Sequence, residues 1–269
     1  MRRSILAVFS LLVLSFAASA YNIKEVKVFS ESMKKDVPVT VVTPNTYVNG
    51  TEFPVVYLLH GYSDNNTTWT ERTDVEELSD QYGVVIVMPD GGFDSWYLDS
   101  EITPDYKYET FLSSELIEYV DSNFKTIKDR RGRAITGLSM GGHGAMHTAL
   151  RHQDVYGSVG STSGGVDIRP FPDSWNISAR LGSYQEYPEK WEENTVINMT
   201  GLLSPGSMNI IIDCGTEDFF YEVNCNLHEK LMKEGIPHEF YTRPGHHNWI
   251  YWKNSIKYQM LYFSDCFSR

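Results

Sequence analysis

Short apolar runs separated by stretches of helical periodicity give this chain its rhythm. Residues 54–59 (Pro-Val-Val-Tyr-Leu-Leu), 84–88 (Val-Val-Ile-Val-Met) and 208–214 (Met-Asn-Ile-Ile-Ile-Asp-Cys) are nearly continuously apolar. Strands covered on both faces read this way, because neither side meets water. A shorter run precedes Gly137, residues 155–162 have a strand-like core of small side chains, and residues 238–242 form a further strand. Residues 21–43 instead alternate apolar and polar, which predicts an antiparallel pair at a sheet edge, where Pro38 is tolerated.

The segments between these runs carry the helical signal. Val75, Leu78 and Tyr82 share one side of residues 73–82, and Phe111, Leu112, Leu116, Tyr119, Val120 and Phe124 gather on one face of residues 111–124. Further helices are predicted from the Ala/Gly/Met-rich stretch to about Gln153, over 223–234, and over 249–263 as the closing element. Residues 166–207 are rich in Pro, Trp, Tyr and acidic side chains and weakly periodic, with a short helix at 178–181. They read as an insertion over the top of the sheet. The alternation of strands and helices predicts one α/β domain with a mainly parallel sheet and helices on both faces.

The first 20 residues change the boundaries of that domain. Arg2 and Arg3, an apolar stretch from Ile5 to Phe16 and the Ala18-Ser19-Ala20 end form an export signal cleaved after Ala20. The expected domain is therefore residues 21–269, secreted or periplasmic. The apolar stretch is shorter than the roughly 20 residues that a membrane-spanning helix needs. Cleavage takes Arg2 and Arg3 away, leaving 21 of the 23 basic side chains against 35 acidic ones. Such a surface repels nucleic acid and anionic lipid. Cys214, Cys225 and Cys266 contain no C-x-x-C pair, and an odd number leaves at least one thiol free. Sequons at Asn49, Asn65, Asn66, Asn176 and Asn198 matter only in a eukaryotic host; the short signal does not establish the host, and a bacterial one is expected.

The chemistry centres on Gly137-Leu138-Ser139-Met140-Gly141, a G-x-S-x-G pattern between a strand and a helix. There a tight turn pushes a serine hydroxyl into the open. A serine hydroxyl is a weak nucleophile at neutral pH and needs a base, itself oriented by a carboxylate. Two loops after later strands supply candidates in the order serine, acid, histidine. The first offers Asp213, Glu217 and Asp218; Asp213 still belongs to its strand, so Asp218 leads and Glu217 follows. The second offers His246 and His247, between which spacing does not choose. Backbone amides of Met140 and Tyr62 are the candidate oxyanion donors, and His60 is a packing or hydrogen-bonding residue. His143 and His147 stand four apart on the serine's helix, but position 144 is Gly and no acidic third ligand accompanies them, so neither metal nor cofactor is expected.

Several stretches together resemble one family. They are Leu58-Leu59-His60-Gly61, Met88-Pro89-Asp90-Gly91-Gly92, Ser95-Trp96-Tyr97, Gly137-Leu138-Ser139-Met140-Gly141-Gly142, Cys214-Gly215-Thr216-Glu217-Asp218 and the segment from Gly245-His246-His247 to Trp252. They are similar to the esterase-D-like branch of the α/β-hydrolases, which includes tributyrin-type esterases, feruloyl esterases, S-formylglutathione hydrolases and mycolyltransferases. The resemblance implies an α/β-hydrolase fold and a triad of Ser139, Asp218 and His247. It also implies an acyl pocket shaped by Trp96, Tyr97 and Trp175, with Tyr184, Tyr187 and Trp191, and places Trp249 among the substrate-binding residues. The implied activity is hydrolysis of small acyl esters, with acetyl or feruloyl groups on carbohydrate favoured. An acyltransferase using a sugar or alcohol, or a non-catalytic carbohydrate-binding protein, are the rival readings.

Overall fold

The computed structural model describes residues 22–47 and 50–269. The export signal expected from the sequence and Asn49 lie outside the described residues. Eight strands form one sheet: β1 (Asn22–Ser30), β2 (Lys35–Thr43), β3 (Val55–Leu59), β4 (Val85–Pro89), β5 (Arg133–Gly137), β6 (Ser158–Thr162), β7 (Asn209–Gly215) and β8 (Glu239–Arg243), in the order β1-β2-β4-β3-β5-β6-β7-β8. From β4 to β8 every pairing is parallel, whereas β1 and β2 are antiparallel to their neighbours.

The continuous apolar runs are explained by two cores, one on each face. In β3, Val55, Tyr57 and Leu59 enter one core while Val56 and Leu58 enter the other. Helices α1 (Thr68–Arg72), α2 (Val75–Tyr82) and the closing helix (Trp249–Phe267) cover the second face, through Trp69, Leu78, Trp252, Ile256 and Phe263. The first face is covered by α3 (Tyr108–Thr110), α4 (Leu116–Asn123), α5 (Met140–Arg151) and a helix over Tyr221–Lys233. The buried side chains Val166, Ile177, Leu181, Trp191 and Val196 of the insertion belong to this same core.

Three departures from the sequence pattern have local causes. Pro38 lies in the second strand, not the outermost one. Its carbonyl accepts from Asp90 N at 2.8 Å, and its missing N–H falls where the β2–β4 ladder, which starts at Val39 against Pro89, has ended. The helix expected over 111–124 is interrupted by a π-helical turn at Phe111–Glu115. The extra residue lets Phe111–Leu112 and Leu116–Ile117, five positions apart, face the same core. The insertion contains the expected α6 (Ser178–Leu181) and also an unexpected α7 (Pro188–Asn194), begun by Pro188 and held by the fully buried Trp191. The later helices Tyr221–Lys233 and Trp249–Phe267 are then α8 and α9.

Candidate active site

Ser139 sits between β5 and α5 with φ 55° and ψ −117°, a backbone conformation that a serine adopts only where the surroundings impose it. Two glycines make the turn possible. A Cβ at Gly141 would lie 2.5 Å from the His60 carbonyl oxygen, and one at Gly137 would lie 2.7 Å from the Leu59 carbonyl oxygen. Both obstacles are backbone and cannot swing away. The turn leaves the Ser139 hydroxyl at the carboxyl end of the parallel strands.

Two loops at that same end approach it. Asp218 follows β7, and His247 lies between β8 and α9, where Asn248 caps the helix by accepting from the Ile250 and Tyr251 amides. The Ser139 Oγ is 2.9 Å from His247 Nε2, and His247 Nδ1 is 2.8 Å and 3.0 Å from the two Asp218 oxygens. A carboxylate only accepts, so Nδ1 carries the proton and donates, leaving the Nε2 lone pair for the serine hydroxyl. Asp218 is itself fixed by the Phe220 amide, which donates to it at 2.8 Å.

The competing residues lie elsewhere. Asp213 is buried in β7, accepting from Gln259 Nε2 at 2.7 Å and Thr162 Oγ1 at 3.0 Å; burial pushes its pKa up. Glu217 is exposed and accepts from the Gly245 amide, and His246 is exposed beside the Glu217 carbonyl.

The amides of Tyr62 and Met140 donate to no acceptor among the described residues. A Cβ built on Gly61 would stand 3.6 Å from Ser139 Cβ, so the loop carrying Tyr62 passes directly beside Ser139. His60 braces that loop. Its Nδ1 donates to the Gly61 carbonyl at 2.8 Å, and its Nε2 accepts from the Gly91 amide at 2.7 Å. Burial would lift the neighbouring Asp90 carboxyl, but it lies below the usual carboxylate range, helped by the Gly92 amide, which donates to it at 2.7 Å.

The aromatic side chains divide into wall and support. Trp96 and Tyr97, read from the sequence as pocket-lining, are both buried and require correction to supports. The Tyr97 hydroxyl accepts from the His60 amide at 3.1 Å and donates to the His60 carbonyl at 3.2 Å, while Trp96 Nε1 donates to the Trp175 carbonyl at 3.0 Å. Trp175 does reach the site: it stacks on Phe219 at 5.3 Å, and the Phe219 ring lies 4.1 Å from His247. Phe219 and Phe220 were missed by sequence reasoning, although their position immediately after Asp218 was the available signal. Trp249 packs edge-on against Trp69 and Trp252, and it is Trp252 that meets His247, at 4.9 Å. Tyr184 and Trp191 pack on each other at 5.4 Å inside the insertion, and Tyr187 is exposed.

His143 and His147 are fully buried in the packing of α5 against Asn194: His143 Nε2 is 2.9 Å from the Asn194 carbonyl and His147 Nε2 2.9 Å from the Asn194 side-chain oxygen. Among the described residues, no group of three or more His, Cys, Asp or Glu is arranged to hold a metal ion. Cys214, Cys225 and Cys266 are free, and burial pushes the Cys214 thiol up, keeping it protonated.

A serine held on a strained strand-to-helix turn above a mostly parallel sheet, with helices on both faces, defines the α/β-hydrolase class. Within it, the chain belongs to the esterase family described as "Putative esterase", whose family model matches residues 30–263. An acetyl esterase of Caldicellulosiruptor saccharolyticus is 28% identical over 87% of this chain and 95% of its own length. A diacylglycerol acyltransferase/mycolyltransferase of Mycobacterium leprae is 30% identical over 88% of this chain and 77% of its own. The solved structure of a ferulic acid esterase superimposes with a TM-score of 0.79 at 28% identity, covering 91% of this chain and 99% of that one. The protein is a carboxylic ester hydrolase.

Proposed function

We propose that the protein is an exported serine carboxylesterase that removes small acyl groups, acetyl or feruloyl, from carbohydrate. The observation that carries the reading is the unbroken contact from Ser139 Oγ through His247 to Asp218. Ser139 Oγ attacks the ester carbonyl carbon while its proton passes to His247 Nε2. Asp218 holds the Nδ1–H and stabilises the imidazolium that forms. The carbonyl oxygen, now negative, is received by the Tyr62 and Met140 amides. As the tetrahedral adduct collapses, the bond to the leaving alcohol breaks and that oxygen takes the proton from His247. Water then attacks the acyl-enzyme, gives its proton to His247, and the acid departs as Ser139 recovers its own.

Three features support the substrate class: the export signal, the aromatic wall of Trp175 and Phe219 beside His247, and relatives named for acetyl and ferulic esters. No described helix is long and apolar enough to cross a membrane. A panel of p-nitrophenyl acetate, methyl ferulate and acetylated xylan tests the proposal. Turnover of p-nitrophenyl acetate alone would remove the carbohydrate and feruloyl part of it.

The 30% identical acyltransferase relative favours one second reading, transfer to an alcohol in place of water. The same groups serve both outcomes. Hydrolysis in the presence of a sugar acceptor, with the products separated, distinguishes them: an acylated sugar forms only if transfer competes.

A further inference from the structure

We infer that Asn176, in the insertion, is a positioning residue for the oxyanion hole, acting through the side chain of Tyr62. The inference rests on the reading of Ser139 as nucleophile.

Tyr62 contributes an amide that must meet the developing oxyanion within about 0.5 Å, and its loop lies outside the strands and helices. Its side chain is gripped from two sides. Phe93 packs edge-on against the Tyr62 ring at 4.8 Å, and the Phe93 carbonyl accepts from the Ser63 amide at 2.8 Å. From the insertion, Asn176 Nδ2 donates to the Tyr62 hydroxyl at 3.3 Å and to Asp94 Oδ2 at 3.1 Å. A carboxamide nitrogen has two hydrogens, so both bonds can be made at once. Asparagine also suits the backbone there, since φ is 54° and Asn tolerates the left-handed region better than most residues.

Asp94 makes the anchor rigid. It is buried, and the Arg180 Nη2 donates to both its oxygens at 3.0 and 3.1 Å. The guanidinium lies 3.8 Å over the Tyr106 ring, and its Nη1 donates to Thr103 Oγ1 at 2.9 Å. One buried, fully oriented ion pair therefore holds Asn176, and Asn176 holds the Tyr62 side chain. A displacement of the insertion is transmitted to the oxyanion donor through these two bonds and to the pocket wall through Trp175, the residue before Asn176.

Two substitutions isolate the link without touching the amides or the triad: Tyr62→Phe removes only the hydroxyl, and Asn176→Gly keeps the left-handed backbone. With p-nitrophenyl acetate, each is expected to lower kcat about 10-fold with KM within about 2-fold, less than the roughly 10²- to 10³-fold cost of losing an oxyanion donor outright. Because both variants cut one link, the double variant should be no slower than the worse single one. The rate at which a fluorophosphonate labels Ser139 should fall in parallel. Unchanged kcat in both variants, a KM effect alone, or multiplying losses in the double variant would overturn the inference. A wild-type protein that does not react with the fluorophosphonate would instead sink the underlying serine-esterase reading. A reactive wild type with equally reactive variants sinks only the link.

Discussion

The ring of Phe219 lies 4.1 Å from the imidazole of His247, tilted by 37°, and also stacks on Trp175 at 20°. Phe219 is half exposed, so this side chain both steadies the histidine and lines the approach to it. Aromatic pairs contribute about 0.5–1.5 kcal/mol beyond their buried area. Phe219→Ala should therefore lower kcat/KM about 2- to 10-fold on p-nitrophenyl acetate. Steady-state kinetics check this; wild-type kcat/KM would show that His247 needs no such wall.

Gly141→Ala places a methyl group 2.5 Å from the His60 carbonyl oxygen and 2.6 Å from that of Leu59. Neither backbone atom can yield without moving β3 or the elbow. Overpacking of this kind costs about 1–3 kcal/mol, and a 1 Å shift at a catalytic group can cost about 10²-fold in rate. The variant should show a lowered Tm and about 10²-fold lower kcat. A wild-type Tm with wild-type kcat would mean the turn is looser than it stands.

Acid should weaken the fold through His147. Burial pushes its pKa down to about 3 from the usual 6.5, with the neighbouring His143 adding to the effect. As pH falls below 6.5 the unfolded chain takes up this proton first, so the stability contributed by neutral His147 is present above that pH. It is lost progressively toward pH 3. The maximal slope from one such group is about 1.4 kcal/mol per pH unit. Chemical denaturation between pH 7 and pH 4 should show the decline, and His147→Gln should flatten it. An unaltered pH slope in the variant contradicts this assignment.

Arg180→Ala leaves the Asp94 carboxylate buried without its cation. Breaking one partner of a buried pair costs about 3–5 kcal/mol. Urea denaturation should register a loss of that size. A loss below about 1 kcal/mol would show that water readily replaces the guanidinium.

The sheet was legible because parallel strands covered on both faces leave uninterrupted apolar runs, as in β3, β4 and β7. Ser139 was legible because its turn demands glycine at 137 and 141. The choice of His247 over His246 was not in the spacing; it came with the family motif, and in the fold His246 points outward. What stayed hidden depends on contacts remote in sequence. Trp96 and Tyr97 looked like pocket wall since an aromatic serves wall or core equally well, and only the hydrogen bonds to His60 and Trp175 reveal them as supports. The Asp94–Arg180 pair joins residues 86 apart, one in a loop and one in the short helix of a weakly periodic insertion. The π-helical turn arises from how two pairs of apolar residues meet the core, which a helical wheel does not register.

The central claim is that Ser139 performs the chemistry with His247 as its base. The most direct measurement compares purified wild-type protein with Ser139→Ala in hydrolysis of p-nitrophenyl acetate, with circular dichroism confirming equal folding. Removing the nucleophile of such a triad costs on the order of 10⁴-fold or more in kcat, so the variant should fall to the background rate. Wild-type turnover in a folded Ser139→Ala protein would contradict the account.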